Sequence, residues 1–378
     1  MVLSFRALLP ATFSLLGLLP AAQSVRLSAP LELQRGGSVR TSDVTSDGAF
    51  TVFLADRDTP SRFELYSVPT DGSSGPVRLN DPLPTDQIIL DWKIGAGDRV
   101  LYLVGTFTGS AGELFSVPAD GSAPPLSLSP PGITYSFLTT RDDMRALVRV
   151  KPGSPAQASV HVVPIDGGPA FELPGTAGLM PRGFSPDGTR VLLEQWDSFF
   201  TFGSFHSSPA DGSATPVQLA RHDQAPPFLE VHLHVEAFSA DGQRLLYSVE
   251  DYVTDGFTFA DWRRSLHSVP LDGSTLTLPL SATPADYLSN VAFDAGVPGG
   301  RIAFVDGNEL VSVFPDGSAR TLLTPPGVIV EAVRRQLVVD GTELFFIGVL
   351  TNGKRTILRV PLDGSAAAIA LVPPGPGT

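Results

Sequence analysis

The sequence predicts an all-β chain folded as a seven-bladed β-propeller of four-stranded antiparallel blades. Three observations predict it. The phrase VPxDGS recurs in variant form seven times, its carboxylate at Asp71, Asp120, Asp166, Asp211, Asp272, Asp316 and Asp363, with spacings of 49, 46, 45, 61, 44 and 47 residues. A second turn phrase alternates with it, as in TSDGAFTVFL, SPDGTRVLLEQ and SADGQRLLYSV. Between the turns run short segments such as RVLYLV (99–104) and RLLYSV (244–249), rich in β-branched and aromatic residues, and no helical period interrupts them.

Asp-Gly flanked by alternating apolar residues signals a tight hairpin, and a type I′ turn with positive φ at both central residues is the expected form. Each period then holds two hairpins, and four strands with their connections use about 45 residues. A unit that small cannot cover its own apolar faces. Repeated seven times, it is stabilised by packing face to face around a ring. A pair of sandwich domains would not require a uniform repeat along the whole chain. VPxDGS thus ends the third strand of each blade and turns it into the fourth. Its Asp is a turn residue, since one carboxylate per turn falls short of a calcium cage.

Residues 1–24 read as a secretory signal. Arg6 is their one charge, an apolar run spans Ala7 to Leu19, and Ala22-Gln23-Ser24 offers small residues for cleavage. Residues 25–378 are then expected to form one propeller domain. No later stretch offers about twenty uninterrupted apolar residues, so no membrane span is expected. The formal charge of −13, without a basic cluster, argues against nucleic acid as a partner. The chain has no cysteine. That removes disulfides, thiol chemistry and lipid attachment through cysteine.

The phrases FSPDGTRVLL and LYSVPTDGS resemble the repeats of TolB-like propeller proteins, and the likeness runs along residues 25–378. Phe184 to Gly188 and Phe238 to Gly242 match the family phrase best. The resemblance implies a β-propeller and little more. The repeats fill the chain, so it does not imply TolB itself, which carries an additional N-terminal α/β domain. Similar repeats occur in prolyl oligopeptidase-like enzymes, but the Gly-x-Ser-x-Gly elbow of their hydrolase domain is absent from this sequence.

In a simple meander both Asp-Gly turns lie on one face of the disc, and the variable connections lie on the other. The 61-residue spacing places an insertion, EDYVTDGFTFADWRRS (250–265), between the middle strands of blade five; blade four carries EQWDSFFTFGSF (194–205) there. Trp196, Phe199, Phe200, Phe202, Tyr252, Phe257, Phe259 and Trp262 are therefore candidate binding residues for a protein or peptide partner, or a glycan. Rings that merely extend strands and pack between blades are the equally weighted alternative.

His161, His206 and His267 share one repeat position and read as strand-pairing residues. In EVHLHVEAF the residues Glu230, His232, His234 and Glu236 alternate on the first, innermost strand of blade five. His222 and Asp223 stand in a neighbouring connection. His232 and His234 are candidate ligands for a divalent metal, which would make the protein a propeller lyase or hydrolase. No third ligand is identifiable, so no cofactor is expected, and the leading expectation is a monomeric, non-catalytic binding scaffold, periplasmic or secreted. Two segments compete to complete the last blade: VRLSAP (25–30), which resembles VRLNDP (77–82), and AAAIALVPP (366–374).

Overall fold

The computed structural model describes residues 38–106, 112–130, 133–151, 158–224, 230–254, 259–281, 291–292, 300–306, 309–330, 338–340 and 342–371. The signal segment and VRLSAP lie outside them. Seven antiparallel sheets follow one another along the chain, as the repeat predicts. Six are four-stranded meanders. In the seventh, two short strands, Val328–Val330 and Val338–Asp340, both pair with Glu343–Leu350, ahead of Arg355–Pro361 and Ile369–Ala370. Ile369–Ala370 therefore takes the fourth place in that blade. Among the described residues the one helical feature is a 3-10 turn at Ala96–Asp98, and no helix is long and apolar enough to cross a membrane. The chain is a seven-bladed β-propeller.

Strand alternation places one apolar row on each face of every blade, and successive blades bury these rows against each other. Leu54 and Leu65 of blade one meet Tyr102 and Val104 of blade two. Leu192 and Phe205 of blade four meet Leu245, Tyr247 and Val249 of blade five, all at most 3% exposed. Equivalent clusters fill the other seams through to Leu310 against Leu344 and Phe346. Each fully buried Leu or Phe contributes about 1.5–3 kcal/mol. These seams, and not any single sheet, form the core.

The recurring phrase has a separate structural use for each of its residues. In all seven copies the Asp Oδ1 accepts the N–H two residues on, from Ser73, Ser122, Gly168, Ser213, Ser274, Ser318 and Ser365. The Gly N–H donates to the carbonyl three residues back, as from Gly72 to Pro69 and from Gly212 to Pro209. In this turn the Gly has positive φ and the Asp does not. The expected type I′ turn is therefore replaced by a type I turn closed by a left-handed Gly, because the side-chain cap favours Asp in the right-handed region.

The serine of SVP receives the arginine that starts the second strand. Arg99, Arg190, Arg244 and Arg301 donate Nε to Ser116, Ser207, Ser268 and Ser312 at 2.6–2.8 Å. Two of these arginines also reach the next blade, Arg99 to Ile165 O and Arg244 to Pro315 O, both at 3.1 Å, and Arg145, which starts the second strand of blade three, does so through Nη2 to Gly188 O at 2.8 Å. The turn glycine receives the outer strand of the preceding blade. A Cβ at Gly167 would fall 2.2 Å from Leu126, one at Gly317 2.6 Å from Leu278, and one at Gly364 2.5 Å from Thr321. Val77, Phe171 and Val217 approach Gly121, Gly212 and Gly273 in the same way.

Candidate functional site

Blades four and five depart from the common plan on the face opposite the Asp-Gly turns. The long spacing in blade five is not a loop. Its residues lengthen the middle strands to Arg244–Thr254 and Phe259–Pro270, with Tyr252 opposite Trp262 and Thr254 opposite Phe259. In blade four the fourth strand is likewise extended to Val217–Asp223, where most blades have two residues. Both extensions prolong hydrogen-bonded ladders beyond the shared core.

In blade four the connection between Arg190–Trp196 and Phe202–Pro209 is a tight turn. Asp197 accepts the Thr201 N–H at 2.7 Å and the Thr201 hydroxyl at 2.5 Å. This closure holds Phe200 at φ 54°, a conformation that costs a bulky residue about 1–3 kcal/mol. Two contacts oppose that cost. The Phe200 carbonyl accepts the Val231 N–H at 2.9 Å, and its ring stacks on His232 with centroids 4.5 Å apart. Tyr252 meets the same imidazole edge-on at 5.0 Å. Phe199, at the turn's tip, is 77% exposed.

The structure thus brings Phe200 and Tyr252 together on His232, with Phe199 exposed next to Phe200 in the chain, joining the aromatic set and the histidine row into one site. Trp196 and Phe202 behave as strand ends, faced by the guanidinium groups of Arg182 at 5.3 Å and Arg221 at 4.2 Å. Phe259 and Trp262 lie in the extended hairpin by their backbone pairing. Phe257 lies outside the described residues.

The four alternating polar residues of Glu230–Phe238 share one face, as expected, and each has a protein partner. His232 Nε2 lies 3.1 Å from Glu230 Oε2, and His234 Nε2 lies 3.2 Å from Glu250 Oε2. Glu236 accepts the Ser248 hydroxyl at 2.5 Å and pairs with Arg264, whose Nε stands 3.3 Å from Glu250 Oε1. Burial works to raise the Glu250 carboxyl, but the hydrogen bonds from His234 and Tyr252 and the Arg264 charge overcome it and hold it at about 2. Burial pushes the Tyr252 phenol up, with the adjoining Glu250 adding to the shift. On blade four, burial raises the Glu194 carboxyl despite its pairing with Arg182. Sequence reading missed Glu250, Arg264 and Glu194. Their signal was cross-strand pairing, His232 opposite Glu250, which needs the register.

His232 and His234 stack nearly parallel at 6.4 Å, each Nε2 on a different carboxylate. Among the described residues no group of three or more His, Asp or Glu side chains is arranged to hold a metal ion.

His222 is not part of this row. Tyr247 and Val249 pack toward blade four while Ser248 and Glu250 point the other way, and His222 joins the former set. His222 Nε2 lies 3.0 Å from the Tyr247 hydroxyl, and its ring lies 5.1 Å from that of His267. Tyr247 stacks on His267 at 5.3 Å and reaches Thr277 Oγ1 at 3.1 Å. Burial depresses both imidazoles, His267 to about 4, with His222 adding to the effect on it. The repeat-position histidines meet the serine two residues earlier: Ser159 with His161, Ser204 with His206 and Ser265 with His267, at 2.7–3.2 Å. They are strand-pairing residues, as read from the repeat.

No family model matches the chain, and no curated protein matches it. Among solved structures it is similar to a puromycin-hydrolyzing peptidase of Mycobacterium tuberculosis, at 15% identity and TM-score 0.40 over 88% of this chain and 53% of that one. The chain therefore spans about half the length of that enzyme. It is similar to a putative TolB from Agrobacterium tumefaciens, at 16% identity and TM-score 0.35 over 64% of this chain and 80% of that one. An oligogalacturonate lyase in complex with manganese aligns at 12% identity and TM-score 0.44 over 84% and 87% of the two chains. These likenesses are distant, and the assignment of the fold rests on the seven sheets themselves.

Proposed function

We propose that the protein is an exported, monomeric, non-catalytic TolB-like propeller of the cell envelope or its surroundings. It binds a protein or peptide partner, or a glycan, through the rim of blades four and five. One observation carries the reading: a strained turn presents Phe199 to solvent beside the Phe200, His232 and Tyr252 stack. Backbone strain and an exposed ring on a rigid scaffold are features of binding surfaces. The acid and base groups below them are engaged with one another, which suits a rigid support more than proton transfer.

The test is to probe peptide and glycan arrays with the labelled protein and with Phe199→Ala, both checked for folding by circular dichroism. The expected result is a set of ligands whose signal drops at least tenfold in the variant. An array signal indifferent to Phe199 overturns the reading. The competing assignment, a metal-dependent lyase or hydrolase at His232 and His234, requires a stoichiometric divalent metal on elemental analysis, lost in His232→Ala.

A further inference from the structure

On the opposite face, a cavity of about 540 Å³ opens between blades five and six. Ser239, Asp241, Arg244, Phe314, Pro315 and Asp316 line it. Its volume suits a small molecule.

The chain departs from its own repeat at this seam. Six copies of the turn phrase place proline two residues before Asp, whereas blade six has Phe314 there and shifts proline to 315. Phenylalanine has an N–H where proline has none, and Phe314 uses it on Ser318 O at 3.1 Å. This anchors the ring at the cavity wall, with the Arg301 guanidinium 4.7 Å from its centroid. Arg244 also departs from its counterparts. Arg99, Arg190 and Arg301 give Nη2 to the carbonyl of their serine at 3.3–3.5 Å. Arg244 spends Nε on Ser268 and Pro315, and among the described residues neither of its Nη atoms donates to the protein.

The two carboxylates have spare capacity as well. Asp241 Oδ1 takes the Ser239 hydroxyl at 2.5 Å and the Gln243 N–H at 3.0 Å, and Asp316 Oδ1 takes the Ser318 N–H and hydroxyl at 2.9 and 2.7 Å. Each Oδ2 keeps its lone pairs for another donor. Neither carboxylate is ion-paired with Arg244, so a guanidinium edge, two carboxylate oxygens and a phenyl ring face one space separately.

We propose that this cavity is a binding site for a small zwitterion, a free amino acid with an apolar side chain. Arg244 takes its carboxylate through paired N–H donors, Asp241 and Asp316 take its ammonium, and Phe314 with Pro315 covers its side chain. A simple anion is disfavoured by two carboxylates against one guanidinium, and a simple cation leaves the Arg244 Nη donors unused.

Isothermal titration calorimetry of the full chain with L-leucine and L-phenylalanine tests this. Saturable binding is expected, weakened at least tenfold in N-acetyl-leucine, which lacks the ammonium, and in leucinamide, which lacks the carboxylate. Phe314→Ala removes the ring that covers the bound side chain. It is expected to abolish binding, and Arg244→Gln to weaken it at least tenfold. Phe199→Ala, on the other face, leaves it unchanged. No heat from either amino acid at about 10 mM, a level that detects even Kd values in the millimolar range, overturns the proposal. So does equal binding of the blocked derivatives, which needs no variant to fold.

Discussion

The His222, Tyr247 and His267 cluster should make the seam between blades four and five lose stability in mild acid. His267 is depressed to about 4 by burial and by His222, against about 6.5 in an unfolded chain. The unfolded state binds the proton first, so the stability is complete above about pH 6.5 and is lost as pH falls toward 4. Integrating one such site gives about 2 kcal/mol lost at pH 5, reduced toward about 1 kcal/mol because the ring is not fully excluded from water. His222 shifts the same way, with Asp223 working against the shift. Glu194 and Asp251, raised by burial, act with the opposite sign. A difference between variants isolates the histidine. Tyr66 and Phe115 occupy the equivalent position in blades one and two, so His267→Phe preserves the stacking with Tyr247. Urea unfolding followed by circular dichroism at about pH 7.5 and 5 should show the wild type losing about 1–2 kcal/mol more than His267→Phe. Equal losses would refute the reasoning.

Two further outcomes follow from the geometry. Gly167→Ala forces a positive φ and a 2.2 Å approach to Leu126, and should cost about 2–4 kcal/mol in the same assay. Glu250→Gln leaves Arg264 with Glu236 alone in a largely buried position. It should cost about 1–3 kcal/mol, measured as a fall in Tm, while leaving the rest of the ring folded.

Blade number, strand order and the turn role of every VPxDGS aspartate were legible because each rests on local chemistry repeated seven times. The hairpin type was misread, since Asp-Gly alone does not distinguish a side-chain-capped type I turn from type I′. The site was half legible. Alternation in EVHLHVE placed His232 and His234 on one face, and composition marked the aromatic insertions. What joined them was long-range: the Asp197 cap that turns Phe200 onto His232, and the register that sets Glu250 opposite. His222 was misplaced for the same reason. Its strand continues five residues past the point where the other fourth strands end, and so crosses into the neighbouring seam.

The contact of an outer strand with the following blade's turn glycine has a sense of direction. From Val77 on Gly121 to Thr321 on Gly364, every described instance points forward along the chain. Such a head-to-tail joint has no self-complementary form, so it never terminates on its own; only the rotation per step decides whether the series meets itself. Blade count is thus a property of angle and copy number, with no single residue that encodes seven. The place where the last module must greet the first is the one joint that no covalent neighbour enforces. There the knob that continues the series, Ile369, stands 53% exposed.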